Sequence, residues 1–68
     1  MINKEIYRLR ITKEWTQKKL SEESGIPVAT IQAVENGDIG EMSIFRRERV
    51  LLELAHTLGV SVESLKEN

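Results

Sequence analysis

Cysteine is absent from the 68 residues, which removes disulfides and thiolate metal sites as sources of stability. The absence fits a reducing compartment without proving one. Aromatics are scarce: Tyr7, Trp15 and Phe45 are the only ones, so a core must be built mostly of Ile, Leu and Val. Histidine occurs once, at His56, with no second His, no Cys and no carboxylates at ligand spacing, so a surface or core-edge role is expected and no metal site. No apolar run approaches the roughly 20 residues of a membrane span, and MINKEIYRLRI, with charges scattered through it, lacks the apolar stretch of a signal peptide. The expected address is cytoplasmic. No stretch shows the apolar and polar alternation of a half-buried strand.

A chain this short has room for one domain, 1–68, and buries only about 60% of its unfolded surface, so its stability margin is thin. Net charge is −1 and the pI is near 5.8, an unusual balance for a partner of phosphate. The distribution is more telling. Residues 1–20 hold six basic side chains (Lys4, Arg8, Arg10, Lys13, Lys18, Lys19) against Glu5 and Glu14, a local +4. Residues 21–41 have no Lys or Arg and reach −5 through Glu22, Glu23, Glu35, Asp38 and Glu41. The rest balances Arg46, Arg47, Arg49 and Lys66 against Glu48, Glu53, Glu63 and Glu67. Any electrostatic footprint must come from two separated basic clusters.

Helix signals dominate, and five helices are predicted. Asn3 is placed to cap the first, whose Ile2, Ile6, Leu9 and Lys13 stem share a face, and which should end before Trp15. Thr16 reads as the N-cap of a second helix, Gln17 to Ser24, closed by Gly25. Pro27 suits a first helical position, giving a third helix from Pro27 to Asn36 that Gly37 stops. On it Ile31 and Val34 fall on one side with Glu35 beside them, while Ala29, Gln32, Ala33 and Asn36 point the other way. Ser43 can cap a fourth helix reaching Leu58, with Leu51, Leu54, Ala55 and Leu58 as its core stripe, and Ser61 a short last helix through Leu65. Trp15, just before an N-cap, is expected to pack on the core. Glu22 and Glu23 are adjacent and diverge by about 100°, poor geometry for shared acid and base work.

The segment from Thr16 to Gly37, TQKKLSEESGIPVATIQAVENG, sets two short helices on either side of a turn through Gly25 and Ile26. With Arg10 ahead of it, Leu20, Ile31 and the Glu35-Asn36-Gly37 ending within it, and Leu54-Ala55 and Leu58-Gly59-Val60-Ser61 to Leu65 behind, it resembles the Xre-like helix-turn-helix family of the phage repressor and Cro type. The resemblance implies a compact all-α five-helix bundle of the lambda-repressor-like DNA-binding type. It implies that Thr16, Gln17 and Lys18 meet the DNA backbone at a helix N-terminus, Gln17 also bracing the reading helix. It assigns Val28, Ala29, Thr30, Gln32, Ala33 and Asn36 to the major groove, with Pro27 at the N-terminal position of that helix among the DNA-binding residues, and an ion pair to Arg10 and Glu35. Gln32 is the residue able to make a bidentate pair with adenine, whereas Val28 and Ala29 offer only apolar contact, as to a thymine methyl.

The stretch after Gly37, DIGEMSIFRRER, departs from the family's short basic loop: either the fourth helix starts early or a loop is inserted. Arg46, Arg47 and Arg49 then serve as a second phosphate clamp or as a solvated first turn. The implied function is a sequence-specific transcription regulator, a repressor binding double-stranded DNA as a homodimer on a palindromic operator, with no cofactor and no membrane. The dimer surface is sought in Val60 to Leu65 and at Met42, Ile44 and Phe45. The acidic pI and the neutral reading face also admit a protein-interaction module on the same fold, antitoxin-like or anti-repressor. An enzyme lacks any nucleophile and base pair or metal cluster in this sequence.

Overall fold

Apolar residues recurring every three or four positions form the inner faces of five helices in the computed structural model, which describes residues 4–38 and 42–66. They are α1 (Lys4–Thr12), α2 (Gln17–Ser24), α3 (Val28–Asn36), α4 (Ile44–Leu58) and α5 (Val62–Lys66), and no strand occurs among the described residues. The core takes Ile6 from α1, Leu20 from α2, Ile31 and Val34 from α3, Leu65 from α5, and Val50, Leu51, Leu54, Ala55 and Leu58 from α4. Each fully buried Leu, Ile or Val contributes roughly 1.5–3 kcal/mol of transfer free energy, so a chain this small depends on nearly all of them. The longest helix, α4, packs on α1, α2 and α5, while α2 and α3 pack on each other and α1 also touches α3 and α5.

The helix ends follow local chemistry. The Thr16 hydroxyl accepts from the Lys19 amide at 3.0 Å and Ser43 accepts from the Arg46 amide at 3.2 Å, satisfying donors that have no intrahelical partner. Gly25 caps α2 at φ 78°, and a Cβ there would meet nothing within 4 Å, so backbone conformation and not space reserves this turn for glycine.

Several boundaries differ from the sequence reading. Helix α1 stops at Thr12, where Glu14 takes φ 60° and the amides of Glu14 and Trp15 turn back to the carbonyls of Ile11 (2.9 Å) and Arg10 (3.0 Å). Lys13 is therefore outside the helix and off its apolar face; it is exposed, with Nζ 5.3 Å from the centre of the Trp15 ring. Pro27 is not the first helical residue. Its ψ of 146° is extended, and its carbonyl receives the Thr30 and Ile31 amides at 3.0 Å, so the helix begins at Val28. Asn3 and Ile2 lie outside the described residues. Helix α4, by contrast, begins at Ile44 after its Ser43 cap and reaches Leu58 as expected, which makes Arg46, Arg47 and Arg49 helical. The C-terminal surface proposed for pairing is largely used by the core: Leu65 is buried, and Val60 and Val62 pack against the core cluster.

Candidate nucleic-acid interface

The two helices α2 and α3 are set by a junction that begins with Arg10. Its Nε donates to Glu35 Oε2 at 2.8 Å and its Nη2 to Glu35 Oε1 at 3.0 Å, a bidentate contact buried from solvent. Nη1 donates to the Trp15 carbonyl at 3.0 Å, so one guanidinium fixes the end of α3 and the turn leading into α2. Gln17 completes the junction, its Nε2 donating to Glu35 Oε1 at 3.1 Å. The hydrogen bond to Glu35 holds the Arg10 pKa above its ordinary value, outweighing the desolvation that would lower it. The guanidinium also lies 5.2 Å from the centre of the Tyr7 ring.

Beside the junction is an open cleft of about 330 Å³ lined by Lys4, Tyr7, Arg10, Gln17, Glu35 and Asn36. Arg10 pairs with the carboxylate within it and Gln17 is engaged by the same carboxylate, so the groups left to a visitor are the Lys4 ammonium, the Tyr7 hydroxyl and the Asn36 amide. The N-terminus of α2 is near at hand: Thr16 and Lys18 are exposed, Gln17 is half-buried, and the first-turn amides have no acceptor within the helix. A donor-rich cleft next to a helix N-terminus suits an anion.

Helix α3 divides by face. Ile31, Val34 and Glu35 are buried, while Val28, Ala29, Gln32 and Asn36 are exposed on the opposite side, as is Pro27 ahead of them. Thr30 and Ala33 are half-buried on the flank, so Ala33 does not point fully outward as its place in the sequence suggested. At 100° per residue Ala33 sits beyond the edge of the arc formed by Val28, Ala29, Gln32 and Asn36. The described part of the chain leaves this outer face of α3 open. At the start of α4, Arg46 is exposed; Arg47 is half-buried, with its Nε buried and without a hydrogen-bond partner among the described residues. Arg8 pairs with Glu5 and Lys19 with Glu23, whereas no ion pair among the described residues holds Lys18, Arg46 or Arg49.

Sequence reasoning did not find the roles of Tyr7 and Lys4 at the cleft or of the Trp15 carbonyl as an acceptor for Arg10. The spacing of Tyr7 three residues before Arg10 was the available signal. His56 is exposed on α4, and among the described residues no group of three or more His, Asp or Glu is placed to hold a metal. No helix among them is long and apolar enough to cross a membrane.

Two short helices crossing at a glycine turn, one of them open along its outer face, define the helix-turn-helix class of DNA-binding domain. A helix-turn-helix family model matches residues 6–44, more than half of the chain, and the protein belongs to that family, of the Xre, lambda-repressor-like type. The family is one of DNA-binding transcription regulators, and its fold is not an enzyme's. No curated protein and no solved structure matches the chain.

Proposed function

We propose that this protein is a sequence-specific DNA-binding repressor that acts as a homodimer on a palindromic operator, with half-sites about one DNA turn, or ~34 Å, apart. The observation that carries the reading is the exposed outer face of α3, Val28, Ala29, Gln32 and Asn36, opposite an inner face locked by Ile31, Val34 and Glu35. A helix held rigidly from behind and bare in front is what major-groove insertion requires. Gln32 reads adenine through its amide, and Val28 and Ala29 supply apolar contact to thymine methyls. Thr16, Gln17 and Lys18, with Lys4 and Asn36 across the cleft, seat a backbone phosphate at the N-terminus of α2, and Arg46 and Arg47 seat another. Pro27, Thr30 and Ala33 shape the edge of the reading surface. Repression follows from occupying a promoter, which needs no effector domain and no cofactor, and DNA as the partner puts the protein in the cytoplasm.

The test is selection of bound sequences from a random duplex pool, with binding of the selected site followed against salt. The wild type yields a two-fold related consensus whose affinity falls steeply as salt rises, with about one unit of log-log slope for each phosphate contact. Gln32→Ala loses preference at one symmetric base position, a discrimination of roughly 1–3 kcal/mol, and keeps the salt slope. No enrichment, or binding indifferent to salt, overturns the regulator reading and leaves a docking module in its place.

A further inference from the structure

The outer side of α4 carries large apolar side chains that nothing in the described chain covers. Phe45 is 85% exposed, Leu52 54% and Ile44 64%. Phe45 and Leu52 are seven residues apart and so share one face, about 10 Å apart along the axis. Between them on that face stand Glu48 and Arg49, both exposed. The order is apolar, acidic, basic, apolar, and it is symmetric about the point midway between Glu48 and Arg49. When such a helix is laid antiparallel on its own copy, Phe45 meets Leu52 and Glu48 meets Arg49, twice over. A parallel arrangement would instead set Glu48 against Glu48.

We infer that the outer face of α4 is the surface through which two copies of this chain pair, antiparallel and two-fold symmetric, Phe45 of each against Leu52 of the other and Arg49 of each against Glu48 of the other. The occupant is a second copy because the charges complement themselves, as an isologous contact demands. A phosphate-bearing partner would meet Glu48 and leave Leu52 without apolar contact. Arg49 holds no ion pair among the described residues, and Glu48 is held at 2.9 Å only by the exposed Lys66, so both are available to the partner copy. The contact spans about two helical turns, below the roughly 800 Å² per partner of a standard interface, which makes it a weak dimer in the micromolar range. The inference rests on the dimeric regulator proposed above for its purpose, since a weak pair suffices when both copies are also held on one operator.

Sedimentation equilibrium of the full chain without DNA, from about 1 to 500 µM, tests it. The expected result is a reversible monomer–dimer equilibrium whose dissociation constant rises roughly tenfold or more in Phe45→Glu. Arg49→Glu weakens pairing similarly by placing like charges together, and the double variant Glu48→Arg/Arg49→Glu restores it, a rescue that a merely structural role for Arg49 would not give. Circular dichroism confirms that each variant unfolds as the wild type does. A wild type that is monomeric throughout, a dimer indifferent to Phe45→Glu, or a double variant no better than Arg49→Glu overturns the pairing. These outcomes are separate from the function: a monomer that still selects an operator refutes the pairing alone, and a dimer that selects no DNA refutes the regulator alone.

Discussion

Two ion pairs of nearly equal length, one between α1 and α3 and one between α4 and α5, differ in worth. Arg10 reaches Glu35 at 2.8 Å with the two side chains 9% and 6% exposed; Lys66 reaches Glu48 at 2.9 Å with 38% and 49% exposed. Distance does not separate them, but surroundings do. Around the first pair, Nε and both Nη atoms of Arg10 and both oxygens of Glu35 are engaged by α1, α2, α3 and the turn between α1 and α2, and with the pair more than nine-tenths buried a missing partner is poorly replaced by solvent. Around the second, solvent takes the place of either group at once. Of the two, only the inner pair therefore helps to determine where α3 stands relative to α2.

The largest expected effect is Arg10→Ala. It leaves Glu35 buried without its cation and frees the Trp15 carbonyl, and the expected loss is about 3–5 kcal/mol in chemical denaturation. A loss below about 1 kcal/mol would erase the distinction between the two pairs. The double variant Arg10→Met/Glu35→Leu sharpens it: with no lone charge left, stability recovers toward wild type, short of the hydrogen bonds that Gln17 and the Trp15 carbonyl give up. Recovery would locate the worth of the pair in orientation and not in attraction. DNA selection by the double variant should then be weaker although the fold persists.

A smaller effect is expected at the turn that Arg10 holds. Glu14 sits at φ 60°, a conformation that L residues other than Asn and Asp adopt at a cost, kept here by the amides of Glu14 and Trp15 bonding backward and by the Arg10 contact to the Trp15 carbonyl. Glu14→Gly removes that strain and gains on the order of 0.5–1 kcal/mol, less than the strain itself because glycine also loosens the unfolded chain. An unfolding midpoint that falls instead would show that the Glu14 side chain does something the turn geometry does not.

Much of this was legible in the sequence, and the reason is local. Thr16, Gly25, Gly37 and Ser43 act on backbone groups within four residues, so cap chemistry alone sets the limits of α2, the end of α3 and the start of α4. The inner stripe of α4 follows from period alone. What escaped is non-local or conformationally atypical. Nothing in the identity of Glu14 announces a left-handed backbone, so α1 ended earlier than its apolar spacing implied and Lys13 left its face. Pro27 has a φ that fits both the N-cap and the first helical turn, and only its ψ decides between them. The depth of Leu65 depends on how α5 closes over α1 and α4, which no spacing within its five residues shows. At the candidate interface, the residue types on the outer face of α3 could be named from the sequence, but the cleft formed by Lys4, Tyr7 and Asn36 needs α1 and α3 placed together.

The smallest effect is expected from Lys66→Ala. The hydrogen bond to Glu48 raises the Lys66 pKa above the ordinary 10.5, and the sign matters. A cation with a raised folded-state value stabilises fully below its unfolded value and loses that contribution only as pH climbs through the folded value, so nothing about the pair changes across neutral pH. Both partners stay in water, and the gain is offset by holding two long side chains in one geometry. Melting curves of Lys66→Ala and wild type should therefore superimpose at pH 7 and respond alike to salt. A reproducible drop would mean that the last turn of α5 is pinned through Glu48, so that the outer pair, like the inner one, fixes a helix.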